Sequence, residues 1–196
     1  DENNKILENR KKLFKILGKP SNTMGEKRWL KRRFEDYKIK NEDIAELKLR
    51  MDIVPVSLAI AQAAKESGWG TSRFALEGNA LFGQWTWSGE GIKPAGAEND
   101  TKHKVMKFKV LKASVRAYQR NLNTHSSYKN FRQLRAQLRD DNEKLDSLLL
   151  AEELDNYAET GKEYTKILKQ IIQQNSLKDF DDVKLMPLSV RYKNLI

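Results

Sequence analysis

The sequence has 196 residues, of which 39% are hydrophobic and 33% are charged, and its formal net charge is +10. This length supports one full domain, or one domain with an appended arm, and the composition suits a packed core beneath a heavily solvated surface. The chain has no cysteine, which excludes both a disulfide framework and a thiolate zinc site. No apolar run approaches the roughly 20 residues of a membrane-spanning helix, so no transmembrane segment is predicted.

Hydrophobic residues at helical spacing predict three helices near the start of the chain. The first covers residues 5–17 and is followed by a helix-breaking stretch at residues 18–22. The second covers residues 29–37, and the third covers residues 44–51. We predict that residues 1–50 form an N-terminal helical extension, and no motif within it indicates a function.

The fourth predicted helix begins at Pro55, because the N–H that proline lacks is not needed in the first turn, and it ends near Glu66. Residues 78–108 combine glycines with short alternating pieces, which predicts a small loop-rich lobe with a β-hairpin. Helical spacing returns at Leu111 and continues to Ile172. The sequence is therefore predicted to be mainly α, with one irregular lobe inserted after the fourth helix.

The stretch A-Q-A-A-K-E-S-G-W-G-T-S carries Glu66 to the end of an apolar helix face. The residues three, four and seven positions earlier share this face, and they are Ala63, Gln62 and Ala59. Desolvation on such a face disfavours the charged carboxylate and raises its pKa, as a general acid requires. Gly68 and Gly70 let the backbone approach a ligand closely, and Trp69 offers a flat apolar surface for a sugar ring. The alternative is a helix-end glutamate that simply faces solvent.

Positive charge is concentrated between Thr101 and Arg139, where eleven Lys or Arg residues occur and no Asp or Glu. Such a surface favours a polyanion, for example nucleic acid, anionic lipid or an acidic cell-wall polymer. The alternative is a solvated basic face that aids solubility. Charge alone therefore does not identify the partner.

Four ordered sequence blocks carry a resemblance to a known family. They are V-P-V-S-L-A-I-A-Q-A-A-K-E-S-G-W-G-T-S-R-F-A, G-N-A-L-F-G-Q-W, S-V-R-A-Y-Q-R-N-L-N-T-H-S-S-Y and L-D-N-Y-A-E-T-G-K-E-Y. Through them, residues 54–175 resemble the catalytic domain of bacterial β-N-acetylglucosaminidases of glycoside hydrolase family 73, in particular its Bax-like branch. The resemblance implies a lysozyme-like helical domain, with the loop-rich lobe over a cleft, that hydrolyses the β-1,4 bond after N-acetylglucosamine in peptidoglycan. The glutamate of E-S-G-W-G is the general acid in that family, which assigns this role to Glu66.

The resemblance also sets the expected organisation and surroundings of the chain. We expect the extension over residues 1–50, the glucosaminidase catalytic domain over residues 51–180 and a C-terminal tail over residues 181–196. The expected partners are peptidoglycan glycan strands rather than nucleic acid, with no cofactor, and we expect a monomer. Because peptidoglycan lies in the cell envelope, we expect an exported periplasmic or envelope protein, and the first residue, Asp1, is compatible with a removed signal peptide.

The second catalytic group is open at the level of sequence. Most glycosidases use two carboxylates, but in some the 2-acetamido group of the substrate is the nucleophile. The lobe offers Glu90, Glu98 and Asp100, and we predict Glu98 because of its position before the basic strand. Members of the resembled family also rely on the tyrosine of a Y-A-T-D-like motif, which matches here as Tyr157 in Y-A-E-T, with a changed acidic position. The alternative for Tyr157 is a core phenol with a satisfied hydroxyl.

Sugar sites commonly pair aromatic faces with amide hydrogen bonds, and several residues near these motifs are candidates for substrate binding. They are Trp69, Asn79, Phe82, Trp85, Asn123 and His125, with Trp87 beside them. For Phe82 the alternative is packing in the core. The chain has two histidines, His103 and His125, on different elements and without a carboxylate at metal spacing, so no metal site is predicted.

Two other functions are compatible with parts of the sequence. A lytic transglycosylase also places a lone glutamate at a helix end, but it typically continues toward a G-L-M-Q-like segment, where this chain has N-A-L-F-G-Q-W. A non-catalytic protein that binds the cell wall or nucleic acid would use the basic segment, whose cations alternate with aromatic residues. However, Tyr118 fits the apolar helix face with Leu122, and no nucleic-acid motif is present. The sequence therefore favours a glucosaminidase.

Overall fold

A computed structural model describes residues 1–86, 91–93 and 104–183 of the chain. Within them the helices are α1 (Glu2–Leu17), α2 (Met24–Asp36), α3 (Ile44–Arg50), α4 (Val56–Ser67), α5 (Arg73–Gly78), α6 (Leu111–Thr124), α7 (Lys129–Asp140), α8 (Ser147–Glu152) and α9 (Lys162–Gln174). Short 3-10 helices cover Ser126–Tyr128, Asp155–Tyr157 and Leu177–Phe180. The prediction of a mainly α, lysozyme-like fold is confirmed. None of the helices in these ranges is long and apolar enough to cross a membrane.

The helix ends follow local sequence signals. Thr23 and Glu26 form a reciprocal capping box at the start of α2, and the carboxylates of Asp43 and Asp146 accept backbone N–H groups at the starts of α3 and α8. Pro55 is the residue that caps α4, one position before the first helical residue. These caps place α4 where the sequence predicts it, so Glu66 lies in its last turn.

The hydrophobic residues form two clusters. The smaller one joins α1, α2 and α3 and is centred on Leu13, Phe34 and Leu47. The larger one joins α4 to the helices that follow the sheet, with Leu58, Tyr118 and further aromatic and aliphatic residues at its centre. Its remaining buried members are Val54, Ala61, Phe82, Leu122, Tyr128, Phe131, Leu138, Leu150, Ala151, Leu154, Tyr164, Leu168, Ile172 and Leu177. The larger cluster holds α4 against α8 and α9 and thereby fixes Glu66 relative to α9.

A buried carboxylate, Asp52, lies on the short connection between the two clusters. It is 2% exposed, and Arg139 donates two hydrogen bonds of 3.2 Å to its oxygens. Arg10 of α1 approaches the same carboxylate at 3.8 Å and donates to the main-chain oxygen of Met51. The fully buried Arg135 donates to the main-chain oxygens of Leu49, Asp52 and Ile53. Charged groups therefore fasten the N-terminal helices to α7.

These contacts change the interpretation of the basic segment between residues 101 and 139. Arg132 and Arg135 are buried and donate to main-chain carbonyls, so they are not part of a surface. Arg139 pairs with Asp52, and Lys112 and Arg116 pair with acids at the start of α1. The prediction of a basic surface is therefore wrong for the buried Arg132 and Arg135, and acidic partners offset the charge of the other three cations.

The lobe contains a three-stranded antiparallel sheet rather than a single hairpin. Its strands are β1 (Trp85–Thr86), β2 (Gly91–Ile92) and β3 (Lys104–Met106), in the order β1-β3-β2. In the register, Val105 stands opposite both Trp85 and Ile92. The main-chain N–H of Phe108 donates to Gly78, and the Asn79 amide donates to Phe108, each within 3.0 Å. These bonds attach the sheet to the end of α5, beside the segment that approaches Glu66.

Candidate active site

The end of α4 determines where Glu66 lies. Gly68 adopts a left-handed conformation with φ of 56°, which stops the helix, and the N–H of Trp69 closes the last turn by donating to Ala64. The Ser67 hydroxyl donates to the main chain of Ala63 and accepts from the N–H of Gly70. The turn leaves Glu66 partly buried, whereas Trp69, three residues further along the chain, is 61% exposed.

Tyrosine side chains surround the Glu66 carboxyl group. Tyr164 of α9, Tyr128 and Tyr157 all lie close enough to interact with the Glu66 carboxyl group. The rings of Tyr157 and Tyr164 are stacked, with centroids 5.5 Å apart and an angle of 6° between their planes. Phenol rings shield the carboxyl from water while offering hydroxyl groups as hydrogen-bond partners. The candidate site is thus a glutamic acid whose carboxyl group is lined mainly by tyrosine side chains.

Burial is the main influence on the ionisation of Glu66. It raises the pKa of Glu66 above the usual value for glutamate, and the hydrogen bond from Tyr164 and the charge of Lys65 oppose this only in part. Among the described residues, no second carboxylate contributes to the shift. A glutamate with a raised pKa retains its proton to higher pH, which is the property of a general acid.

Tyr157 is placed in the site by a main-chain contact. Its hydroxyl donates a 3.1 Å hydrogen bond to the carbonyl oxygen of Phe82, and burial raises its pKa well above that of a free phenol. It therefore remains protonated and acts as a hydrogen-bond donor rather than as a base at neutral pH. The same contact ties the 3-10 helix at Asp155–Tyr157 to the segment before the sheet.

Gly83 is the point where that segment approaches the acid. Its φ is +58°, and a Cβ atom built on it would lie 3.2 Å from Oε2 of Glu66. This left-handed conformation is strained for residues with a side chain, and a side chain would also press on the carboxylate. The absence of a Cβ at Gly83 therefore shapes the space next to Glu66.

Two predicted binding residues lie in the interior, which corrects their role. Phe82 is 3% exposed and stacks on Tyr118 with ring centroids 4.0 Å apart, so its ring is part of the hydrophobic core. Asn123 is 1% exposed, and its amide donates to the main-chain oxygen of Asp52. Both side chains are too deeply packed to contact a sugar.

The other predicted residues have different surroundings. Trp69 is exposed in the turn that ends α4, whereas Asn79 ends α5 and uses its amide to hold Phe108. His125 is exposed, and its Nδ1 accepts the N–H of Ser127 at the start of a 3-10 helix. Glu98 and the side chain of Trp85 lie outside the described part of the structure, as do Trp87, Glu90, Asp100 and His103.

Sequence patterns assign no role in the site to four residues near Glu66, although Gln62 is predicted to share its helix face. Gln62 and Tyr164 both occupy the buried faces of their helices, where they follow the same spacing as the apolar core. Tyr128 and Gly83 lie in connections, where spacing carries no signal. Only the presence of polar groups on otherwise apolar faces distinguishes Gln62 and Tyr164 in the sequence, because a buried polar group requires a partner.

Comparisons with known proteins agree with this arrangement. The sequence model of the glucosaminidase family, described as mannosyl-glycoprotein endo-β-N-acetylglucosaminidase, matches residues 41–177. Protein bax of Escherichia coli (strain K12) is 38% identical over 126 residues, which are 64% of this chain and 44% of that protein. The chain thus spans less than half the length of this relative, and no solved structure matches it significantly. Because the family match covers more than half of the chain and includes Glu66 and the tyrosine side chains around it, this chain belongs to the glucosaminidase family.

Proposed function

We propose that this protein hydrolyses the glycan strands of peptidoglycan at the β-1,4 bond after N-acetylglucosamine, with Glu66 as the general acid. Membership of the glucosaminidase family supports glycan hydrolysis in general. The observation that carries the specific proposal is the partly buried Glu66, whose pKa is raised by burial, with the exposed Trp69 three residues after it in the turn that ends α4. An acid that holds its proton next to a sugar-stacking surface suits the protonation of a glycosidic oxygen.

In the proposed reaction, Glu66 gives its proton to the oxygen that leaves with the next sugar. This transfer stabilises the leaving group while positive charge develops on the N-acetylglucosamine ring. Trp69 would stack on the apolar C–H face of a pyranose, and the Tyr157 hydroxyl would keep the Phe82 segment in place. Glu98 remains our proposal for the second carboxylate, with the 2-acetamido group of the substrate as the other candidate.

The products released from purified peptidoglycan test this proposal. Mass spectrometry should find fragments that end in a reducing N-acetylglucosamine. Fragments that end in anhydro-muramic acid would instead indicate a lytic transglycosylase, and the absence of any fragment would indicate a non-catalytic binder. We propose an exported protein of the periplasm or cell envelope, since the proposed substrate is found there.

Replacement of Gly83 by alanine should lower kcat in a protein that remains folded. The new methyl group would lie about 3.2 Å from Oε2 of Glu66, and the carboxyl would have to move. Displacement of a reacting group by about 1 Å can reduce the rate by about 10²-fold, and the few tenths of an ångström required here should have a smaller effect. We expect kcat on peptidoglycan to fall at least tenfold, on the order expected for such a displacement.

Gly70→Ala is the matched control for this variant. Gly70 also has a positive φ, of +80°, but nothing lies within 4 Å of the Cβ position there. Both variants carry a comparable backbone strain, of about 1–2 kcal/mol, so their melting temperatures should fall by similar amounts. A folded Gly83→Ala protein with the kcat of the parent would show that Gly83 does not control the position of Glu66.

Binding to whole sacculi should depend on the lysines around β3. Lys104, Lys107 and Lys109 form no ion pair within the described residues, and Lys102 lies outside them. Peptidoglycan carries lactyl and peptide carboxylates, so Gln at these four positions should weaken adsorption to sacculi and flatten its salt dependence. At physiological salt, exposed charges are screened beyond roughly 8 Å. Turnover of a short uncharged chitin-type oligosaccharide by this variant should therefore change little.

A second quadruple variant separates local charge from net charge. Gln at Lys11, Lys15, Lys27 and Lys31 removes the same number of cations from the exposed faces of α1 and α2, away from the lobe. We expect this variant to bind sacculi more tightly than the variant of the β3 lysines in a pelleting assay over a salt series. Equal loss of binding in both variants would mean that net charge alone governs adsorption.

A further inference from the structure

Two hydrogen bonds in the core join Tyr118, Gln62 and Tyr164, close to Glu66. The hydroxyl of Tyr118 on α6 donates a 2.6 Å hydrogen bond to Oε1 of Gln62 on α4. Nε2 of the same amide donates a 3.0 Å hydrogen bond to the hydroxyl oxygen of Tyr164 on α9. Glu66 lies one turn after Gln62 on the same face of α4, and its carboxyl group interacts with the Tyr164 hydroxyl. Gln62, Tyr118 and Tyr164 are all almost fully buried, so water does not compete for these groups.

The donor and acceptor atoms of these side chains determine which group donates in each hydrogen bond. A phenol has one O–H donor, and a glutamine amide has one accepting oxygen and one donating nitrogen. Because Tyr118 donates to Oε1, the amide presents its nitrogen to Tyr164. The oxygen of Tyr164 is then an acceptor for Gln62, and its only proton is available for the Glu66 carboxylate.

We propose that Tyr164, oriented by Gln62, is a positioning residue that fixes the Glu66 carboxyl group and stabilises its carboxylate form after proton transfer. This inference rests on the proposed function, in which Glu66 must donate a proton and then regain it. Burial favours the protonated acid, and a hydrogen bond to the carboxylate favours the ionised acid, so the two effects oppose each other. The buried amide and phenols have no other task in the proposed reaction.

Few other charges act on this acid. The titratable groups that face Glu66 in the described residues are Tyr164 on α9, Tyr157 and Tyr128 on the 3-10 helices, and Lys65 on its own helix. Burial raises the pKa of each of the three tyrosines, which are therefore neutral near pH 7. Lys65 is exposed, so solvent screens its charge.

The test is the pH dependence of a Tyr164→Phe variant. Loss of the donor should raise the pKa of Glu66, since burial is then less opposed. A general acid is active while protonated, so the alkaline limb of the kcat/KM profile should move to higher pH. We also expect kcat at the plateau to fall by about tenfold, because the carboxyl is less firmly oriented.

A direct titration of the carboxyl group supplies a readout that does not depend on activity. The chemical shift of the ¹³C-labelled Glu66 carboxyl, assigned by its disappearance in Glu66→Gln, should titrate at higher pH in Tyr164→Phe than in the parent. Tyr37→Phe removes a hydroxyl from the other hydrophobic cluster and should leave the titration unchanged. A purely structural role for Tyr164 would lower stability without moving this titration.

Gln62→Met provides a second route to the same result if Tyr164→Phe fails to fold. Methionine keeps the length of the side chain but removes the amide oxygen and nitrogen, so Tyr164 loses its fixed orientation and the titration should again move to higher pH. A folded variant at either position with the parental titration would overturn the proposal. Failure of the parent protein to release sugars from peptidoglycan would refute the proposed function instead, while the titration would still test the hydrogen-bond set.

Discussion

Replacement of Glu66 by glutamine is expected to reduce hydrolysis of purified peptidoglycan by about 10²–10⁴-fold, the usual contribution of general acid catalysis. Glutamine keeps the shape of the side chain and can still accept a hydrogen bond from Tyr164, but it has no transferable proton. Adsorption to sacculi should therefore remain close to that of the parent. Release of soluble muropeptides, followed by chromatography, measures the effect.

The assignment of Glu66 as a buried acid also predicts the direction in which Glu66→Gln changes the free energy of unfolding. Burial raises the pKa of Glu66 in the folded protein, so ionisation of this group opposes folding. The contribution of Glu66 to stability is greatest at low pH, where the acid is protonated, and declines as the pH rises through the unfolded and then the folded pKa. A neutral amide lacks this penalty, and Glu66→Gln should be at least as stable as the parent at pH 7.

Glu77→Gln is the control, since Glu77 is an exposed glutamate on the neighbouring helix α5. We expect parental activity and parental stability from it. A folded Glu66→Gln protein with parental turnover would remove Glu66 from the proposed reaction.

Helix periodicity predicts much of this fold because each helix buries one face. The spacing of apolar residues in α4 and α9 shows which face is buried, and Pro55 and Gly68 indicate where α4 begins and ends. The position of Glu66 at the end of a helix follows from those two signals. The E-S-G-W-G stretch is local, and local geometry is what sequence patterns describe best.

Contacts between distant segments are what the sequence does not reveal. Arg132 and Arg135 look like members of a basic surface, yet the structure buries both and satisfies them with main-chain carbonyls. Gly83 approaches Glu66 only because the chain returns to α4 after α5. Charge counts and spacing contain no information on which carbonyl or carboxylate lies across the fold, so these placements require the tertiary structure.

The second large effect is expected at Asp52, where asparagine should lower the free energy of unfolding by about 3–5 kcal/mol. Removal of one partner from a buried charge cluster leaves the remaining charges uncompensated. Here Arg135 is fully buried, and Arg139 keeps at most one of its two hydrogen bonds because asparagine has a single accepting oxygen. Equilibrium unfolding in urea at pH 7 measures the change. Asp36→Asn is the control, because the Asp36 side chain is 55% exposed in its ion pair with Arg33 and its replacement should cost less than about 1 kcal/mol.

The pH dependence of this loss follows from the ionisation of Asp52. Burial alone would raise its pKa, but Arg135, Arg139 and Arg10 outweigh burial, and the pKa in the folded protein lies below the usual value. The carboxylate therefore contributes stability above the unfolded pKa of about 3.9, and this contribution disappears as the pH falls through the folded pKa. The difference in unfolding free energy between Asp52→Asn and the parent should thus be largest at neutral pH and shrink in acid. A difference that stays constant from pH 7 to pH 3 would mean that Asp52 stabilises the fold through packing rather than through its charge.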